Sequence, residues 1–185
     1  MREAMDHAWA KMSGKTPQKA LIIHGRMPPK KFMIDGMKYL RRLGPIRHFI
    51  RDHGKWFEGR ASVKDYPKAI YWRRKHKPQP NRCFQNAREY CLAHPEARYF
   101  EGYYMITESP IDHGWIVQED GKVLDFTHEA VIQKLKREKE KVHVAPPLYV
   151  GIEIPHEWLA ELHVAVEENQ PILDLYRKSL RKRHK

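Results

Sequence analysis

The chain has 185 residues, with 35 Lys and Arg against 23 Asp and Glu for a formal net charge of +12. That length suits one domain with an extension, and 41% hydrophobic residues, with 11% of the chain aromatic, supply a core and argue against wholesale disorder. The basic balance points to polyanionic partners such as nucleic acid, and no apolar run reaches membrane-spanning length, so no membrane span is expected. The first twenty residues lack the apolar stretch of a secretory signal, and two cysteines cannot form a disulfide framework. Free thiols without a signal fit a reducing cytoplasm.

Residues 1–28 are mixed, with Gly14 and Pro17 breaking any long helix. After Pro28 and Pro29, residues 30–43 place Phe32, Met33, Met37 and Leu40 at helical spacing, until Gly44 and Pro45 stop them. Ile46, Phe49 and Ile50 mark a second short helix before Gly54. Residues 68–77 are strongly basic, carry Tyr71 and Trp72, and lead into an extended Lys77-Pro78-Gln79-Pro80. These patterns divide the chain into a basic, mainly helical extension over 1–75 and an α+β core over 76–185.

In the core, Asn81 is a good N-cap for a helix from Arg82 to about Ala93. Residues 98–106 read as an aromatic-rich strand, followed by a turn at Glu108-Ser109-Pro110. Residues 113–118 and 122–127 read as a hairpin around Asp120-Gly121. Thr127 is placed to cap a charged helix through about Lys141, with Val131, Ile132 and Leu135 on its apolar stripe. Residues 148–154 read as another strand. Two C-terminal helices follow, the second opened by Pro171, and residues 177–185 form a basic tail.

This order brings three chemical groups into view. Cys83, at the second helical position after Asn81, would feel the positive end of the helix dipole and the unpaired N–H groups of the first turn. Both favour the thiolate, and the same N–H groups can serve an oxyanion. His113 begins a strand beside Gly114, which permits close approach, and Trp115 is expected in the core or a pocket wall. Asp125 can orient His113 only if the two share a sheet face, and hairpin register decides that. A two-residue Asp120-Gly121 loop would place Asp125 opposite Ile116, on the wrong face. A three-residue Glu119-Asp120-Gly121 loop, with Gly121 left-handed, pairs Gln118 with Lys122 and sets Asp125 opposite Trp115, diagonal to His113. Glycine in the third loop position favours the second register. Asp112 and Glu101 are weaker candidates as the orienting carboxylate.

Together these residues match a known pattern. A helix-start Cys, His113-Gly114-Trp115 on a strand and Asp125-Phe126-Thr127 closing the next resemble the transglutaminase-like branch of the papain-like cysteine hydrolases. There the pattern is Cys, His-Ala-Trp and Asp-Pro-Thr. Gly and Phe here replace Ala and Pro without touching a reacting group. Cys83-Phe84-Gln85-Asn86-Ala87, Tyr99-Phe100-Glu101-Gly102-Tyr103 and Tyr149-Val150-Gly151 also resemble microbial and phage proteins carrying this core. The resemblance covers roughly residues 78–155. It implies a papain-like fold, with the Cys-bearing helix packed on an antiparallel sheet, and a Cys83, His113, Asp125 catalytic triad. The implied activity is thiol-based hydrolysis or acyl transfer on an amide or ester of a protein, peptide or small molecule, without a cofactor. By position, Gln79 is the candidate upstream oxyanion donor.

Other constellations are sparse. Cys91 and His94 are the only close pair of soft ligands, and no second pair stands at zinc-site spacing, so no metal is expected. The alternative to an enzyme is a basic nucleic-acid-binding protein using Arg73, Arg74, Lys75, Arg181 and Lys182. At 1.5 Å rise per residue, Cys83 and Cys91 on one helix lie about 12 Å apart, beyond disulfide reach.

Overall fold

The computed structural model describes residues 44–105, 110–137 and 146–183. The helix expected over 30–43, most of the turn at 108–110 and the end of the helix expected to reach Lys141 lie outside them. The described chain is α+β.

Helix α1 (Pro45–His53) starts with proline at its first turn and buries Ile50. Strand β1 (Lys55–Glu58) follows, and a short 3-10 turn (Val63–Asp65) is held by a capping box between Ser62 and Asp65. Helix α2 (Pro67–His76) again opens on proline and closes at Lys77, whose φ of 49° is left-handed. Helix α3 (Cys83–Ala93) begins one residue later than expected. Arg82 is its cap residue and makes no side-chain cap bond, so Asn81 does not cap it. Cys83 is therefore the first helical residue.

Strands β2 (Arg98–Met105), β3 (Ile111–Val117) and β4 (Val123–Leu124) precede helix α4 (Phe126–Arg137). Strand β5 (Leu148–Ile154) and helices α5 (His156–His163) and α6 (Leu173–Arg183) complete the described chain. Helix α4 starts before Thr127. Asp125 precedes it, and Asp125 Oδ1 accepts the His128 N–H at 2.9 Å, so the aspartate caps the helix in place of the threonine.

The five strands form one antiparallel sheet in the order β1-β5-β2-β3-β4. Strand β1, within the expected extension, thus pairs with β5 at the sheet edge. Alternation sorts the sheet's side chains onto two faces. One face presents Tyr99, Tyr103, Ile116, Leu124, Val150, Ile152 and Ile154 to the main core, which the helices cover with Ile50, Trp72, Tyr90, Trp158 and Leu162, among others. Helix α2 reaches this core through Trp72, whose ring lies 4.7 Å from Phe126 and 5.6 Å from Tyr90. The opposite face carries Phe100, Tyr104, Trp115, Val117, Val123 and Tyr149, with Phe57 packed against them.

The β3–β4 hairpin has the three-residue loop. Ile116 pairs with Leu124 and Val117 with Val123, while the Lys122 carbonyl accepts the Gln118 N–H at 2.9 Å. The Gly121 N–H bonds back to the Gln118 carbonyl, and Gly121 has a φ of 81°, which a glycine adopts without strain. This register puts Asp125 on the His113 face.

Candidate active site

Cys83, His113 and Asp125 meet where the start of α3 approaches β3. Gly114 makes the approach possible: a Cβ there would stand 3.1 Å from Phe84 Cα and 3.2 Å from the Tyr99 hydroxyl. The helix start therefore lies directly against the strand residue following His113.

His113 is buried, and its Nε2 lies 2.8 Å from Asp125 Oδ2. With Nε2 on the carboxylate, Nδ1 is the ring nitrogen left to face the thiol. The Cys83 side chain is close enough to add both a hydrogen bond and a charge interaction to the imidazole. Burial opposes the imidazolium, yet Asp125 and Cys83 outweigh it and push His113 up to about 10. Burial likewise opposes the Asp125 carboxylate, but His113, His128 and the His128 N–H hold it well below the usual carboxylate range. Cys83 is half-exposed and Cys91 fully buried, and both are free thiols. Burial pushes the Cys91 thiol well up, as suits a core residue.

Asp125 is fully furnished with donors. Oδ1 takes the His128 N–H, while Oδ2 takes both His113 Nε2 and the Tyr149 hydroxyl, the latter at 3.0 Å. Behind it, the Tyr104 hydroxyl bonds His128 Nδ1, and the Tyr104 ring centroid lies 4.9 Å from that of His113. Burial brings His128 down to about 4, so its ring is neutral near pH 7. Trp115, expected in a pocket wall, is fully buried. It stacks on Phe100 at 5.9 Å and lies parallel to His113 at 6.5 Å, supporting the imidazole from within the sheet.

The start of α3 is secured by residues that spacing did not reveal. Asn86 Nδ2 donates to the Gln79 carbonyl at 2.7 Å and to Thr127 Oγ1 at 2.8 Å, joining the lead-in segment to α4. From the C-terminal segment, Asn169 Oδ1 accepts the Gln85 N–H at 3.4 Å and its Nδ2 donates to the Asn81 carbonyl at 2.9 Å. Buried Arg88 donates to the carbonyls of Gln170 and Glu168 at 2.5 and 2.6 Å. A shallow cleft of about 400 Å³ lies between Asn81-Arg82 and residues 167–170.

Compared with protein-family models, curated proteins and solved structures, the chain matches none.

The remaining expected residues fall elsewhere. Gln79 is exposed, and its side-chain amide donates to the Lys77 carbonyl at 2.8 Å, away from an oxyanion role in this conformation. Glu101 lies on the opposite sheet face, where its carboxylate accepts the Ile172 and Leu173 N–H groups at 2.8 Å each and so caps α6. Asp112 pairs across from Tyr103, on the face away from His113. Neither can orient His113. Arg74, Lys75, Arg181 and Lys182 are exposed, whereas Arg73 is half-buried, 3.7 Å from Glu129. No helix among the described residues is long and apolar enough to cross a membrane.

Proposed function

We propose that the protein is a thiol-dependent hydrolase or acyltransferase acting on an amide or ester, with a papain-like, transglutaminase-like core. The observation that carries this reading is a buried imidazole bound to a carboxylate through one nitrogen with a cysteine at its other side. Asp125, itself held by the Tyr149 hydroxyl and the His128 N–H, takes one ring nitrogen and leaves the other side of the imidazole to a half-exposed thiol.

The chemistry follows from that order. The Cys83 thiolate attacks the carbonyl carbon, forming a C–S bond while the carbonyl electron pair moves onto oxygen. The N–H groups of Cys83 and Phe84, in the first helical turn and lacking intrahelical acceptors, are the donors we assign to that oxyanion. As the oxyanion collapses, the imidazolium of His113 gives its proton to the departing amine or alkoxide, and the C–N or C–O bond breaks. Neutral His113 then takes a proton from water, or from an amine acceptor, as that nucleophile attacks the thioester. The C–S bond breaks and the thiolate–imidazolium pair returns. Asp125 touches no reacting atom and keeps the ring oriented and charged.

The test is labelling by iodoacetamide, followed by turnover of a panel of p-nitrophenyl esters and peptide amides. Wild-type protein should label at Cys83 near pH 6, faster than a free thiol. Cys83→Ala should lose both labelling and turnover while keeping its circular dichroism spectrum. Labelling no faster than a free thiol, or turnover that survives Cys83→Ala, overturns the proposal. Salt-dependent oligonucleotide binding without turnover would favour the basic nucleic-acid-binding alternative.

A further inference from the structure

The Asp125 carboxylate is shared unevenly among its donors. Among the described residues Oδ1 has one partner, the His128 N–H at 2.9 Å, and this bond belongs to the α4 cap. Oδ2 has two, His113 Nε2 at 2.8 Å and the Tyr149 hydroxyl at 3.0 Å. Tyr149 reaches it from β5, two strands from β3, and every part of its side chain is buried. Its ring is fixed between Tyr104 and Trp115, each with a centroid 5.2 Å away. A hydroxyl locked this firmly is a permanent competitor for the oxygen that holds the imidazolium.

We infer that Tyr149 is a positioning residue that limits how firmly Asp125 holds the His113 imidazolium, and so keeps the ring able to release its proton. The inference rests on the proposed triad. Its physical basis is that a donor on a carboxylate oxygen spreads that oxygen's charge, leaving less for a second donor on the same atom. An imidazole that must act as acid and then as base works best when its proton is held neither too loosely nor too tightly. Asp125, buried opposite a thiolate-bearing pair, would otherwise hold it too tightly. Tyr149 has no exposed surface, so its hydroxyl reaches Asp125 away from bulk water.

Other groups face the pair and must be held constant. They are Cys83 from α3, Tyr104 from β2, His128 and Glu129 from α4, and Arg60 after β1, which binds Glu129 at 2.8 Å. Tyr149→Phe alters none of them and preserves the ring packing.

The experiment follows the His113 ring by NMR in the full chain with ¹⁵N-labelled histidine. It uses the Cys83→Ala background, where loss of the thiol charge brings the titration midpoint into an accessible range, and the chain with Cys83 intact. Tyr149→Phe should raise the midpoint by about half to one pH unit in both. An unchanged or lowered midpoint overturns the inference. Replacing all tyrosines with 3-fluorotyrosine, a stronger donor of nearly the same shape, gives the opposite sign without deleting the group. The midpoint should fall in the chain carrying Tyr149 and hold in Tyr149→Phe; a fall in both overturns the inference. Iodoacetamide labelling separates this from the triad itself: if His113→Ala leaves the labelling rate of Cys83 unchanged, the triad reading fails, whatever the midpoint does.

Discussion

Replacing Asp125 with asparagine tests the site at its most connected point. Oδ1 accepts a backbone N–H and Oδ2 accepts two side-chain donors, so an amide of the same shape cannot satisfy both ends. If its oxygen faces His113 and Tyr149, its NH₂ faces the His128 N–H; if it flips, its NH₂ faces the two side-chain donors. Either way buried donors confront each other, and the charge opposite the imidazolium is gone. Holding an imidazole at about 10 instead of 6.5 corresponds to roughly 5 kcal/mol of preference for the charged ring, shared between Asp125 and Cys83. Asp125's share and the unsatisfied donors place the expected loss of stability at about 3–5 kcal/mol. The pH dependence has a definite sign. The lowered Asp125 contributes above about pH 4 and loses its contribution as pH falls below that; the raised His113 contributes fully below 6.5 and loses its contribution as pH rises toward 10. The gap between wild type and Asp125→Asn, measured by urea unfolding, should therefore be widest between about pH 4 and 6.5 and narrow toward pH 10. Iodoacetamide labelling of Cys83 at pH 6 should fall by about tenfold or more. A variant within about 0.5 kcal/mol of wild type, or a gap that stays constant from pH 6.5 to 10, refutes the ion-pair reasoning.

Two further substitutions examine how the site is supported. Gly151→Ala places a Cβ 2.4 Å from the Glu101 carbonyl and 2.4 Å from the Trp115 ring beneath His113, so a loss of about 2–4 kcal/mol in urea unfolding is expected from overpacking and displaced backbone; near-neutral stability would show that the sheet yields there. Arg88→Met keeps the aliphatic stem but removes the donors to residues 168 and 170, so hydrogen exchange over 167–170 should quicken and stability fall by about 2–3 kcal/mol, with unchanged protection arguing that Asn169 alone holds the segment.

The sequence made the site legible because its geometry reduces to one local question. Gly121 in the third loop position favours a three-residue turn, that turn fixes the pairing of Gln118 with Lys122, and period-two alternation then carries Asp125 to the His113 face. Strand 148–154 was equally legible, since Pro146 and Pro147 bound an apolar run. The supporting residues were not, because nothing local marks them. Tyr149 reads as another apolar strand residue, and its contact with Asp125 spans 24 positions. Arg88 and Asn169 read as polar residues on surface elements, although they join parts of the chain 79–88 residues apart. The cap of α4 was misread for a related reason. Thr127 and Asp125 are both good cap residues, and which one serves depends on where β4 ends, a matter settled by the sheet and not by propensity.

That competition at α4 bears on the chemistry itself. Because Asp125 is both the cap of α4 and the partner of His113, folding and the proposed function draw on the same carboxylate. Its Oδ1 bond to the His128 N–H fixes the plane of the group, and the plane sets where Oδ2 points. A free aspartate side chain would rotate about two bonds and present either oxygen in many directions; one whose first oxygen is consumed by a helix start presents the second along a single line. The same logic applies across the site at α3, where Cys83 occupies the first helical residue and takes its direction from the helix. Two helix starts, one for the thiol and one for the carboxylate, approach opposite edges of one imidazole on β3. The precision the proposed triad needs thus comes from backbone elements whose positions the sheet already dictates.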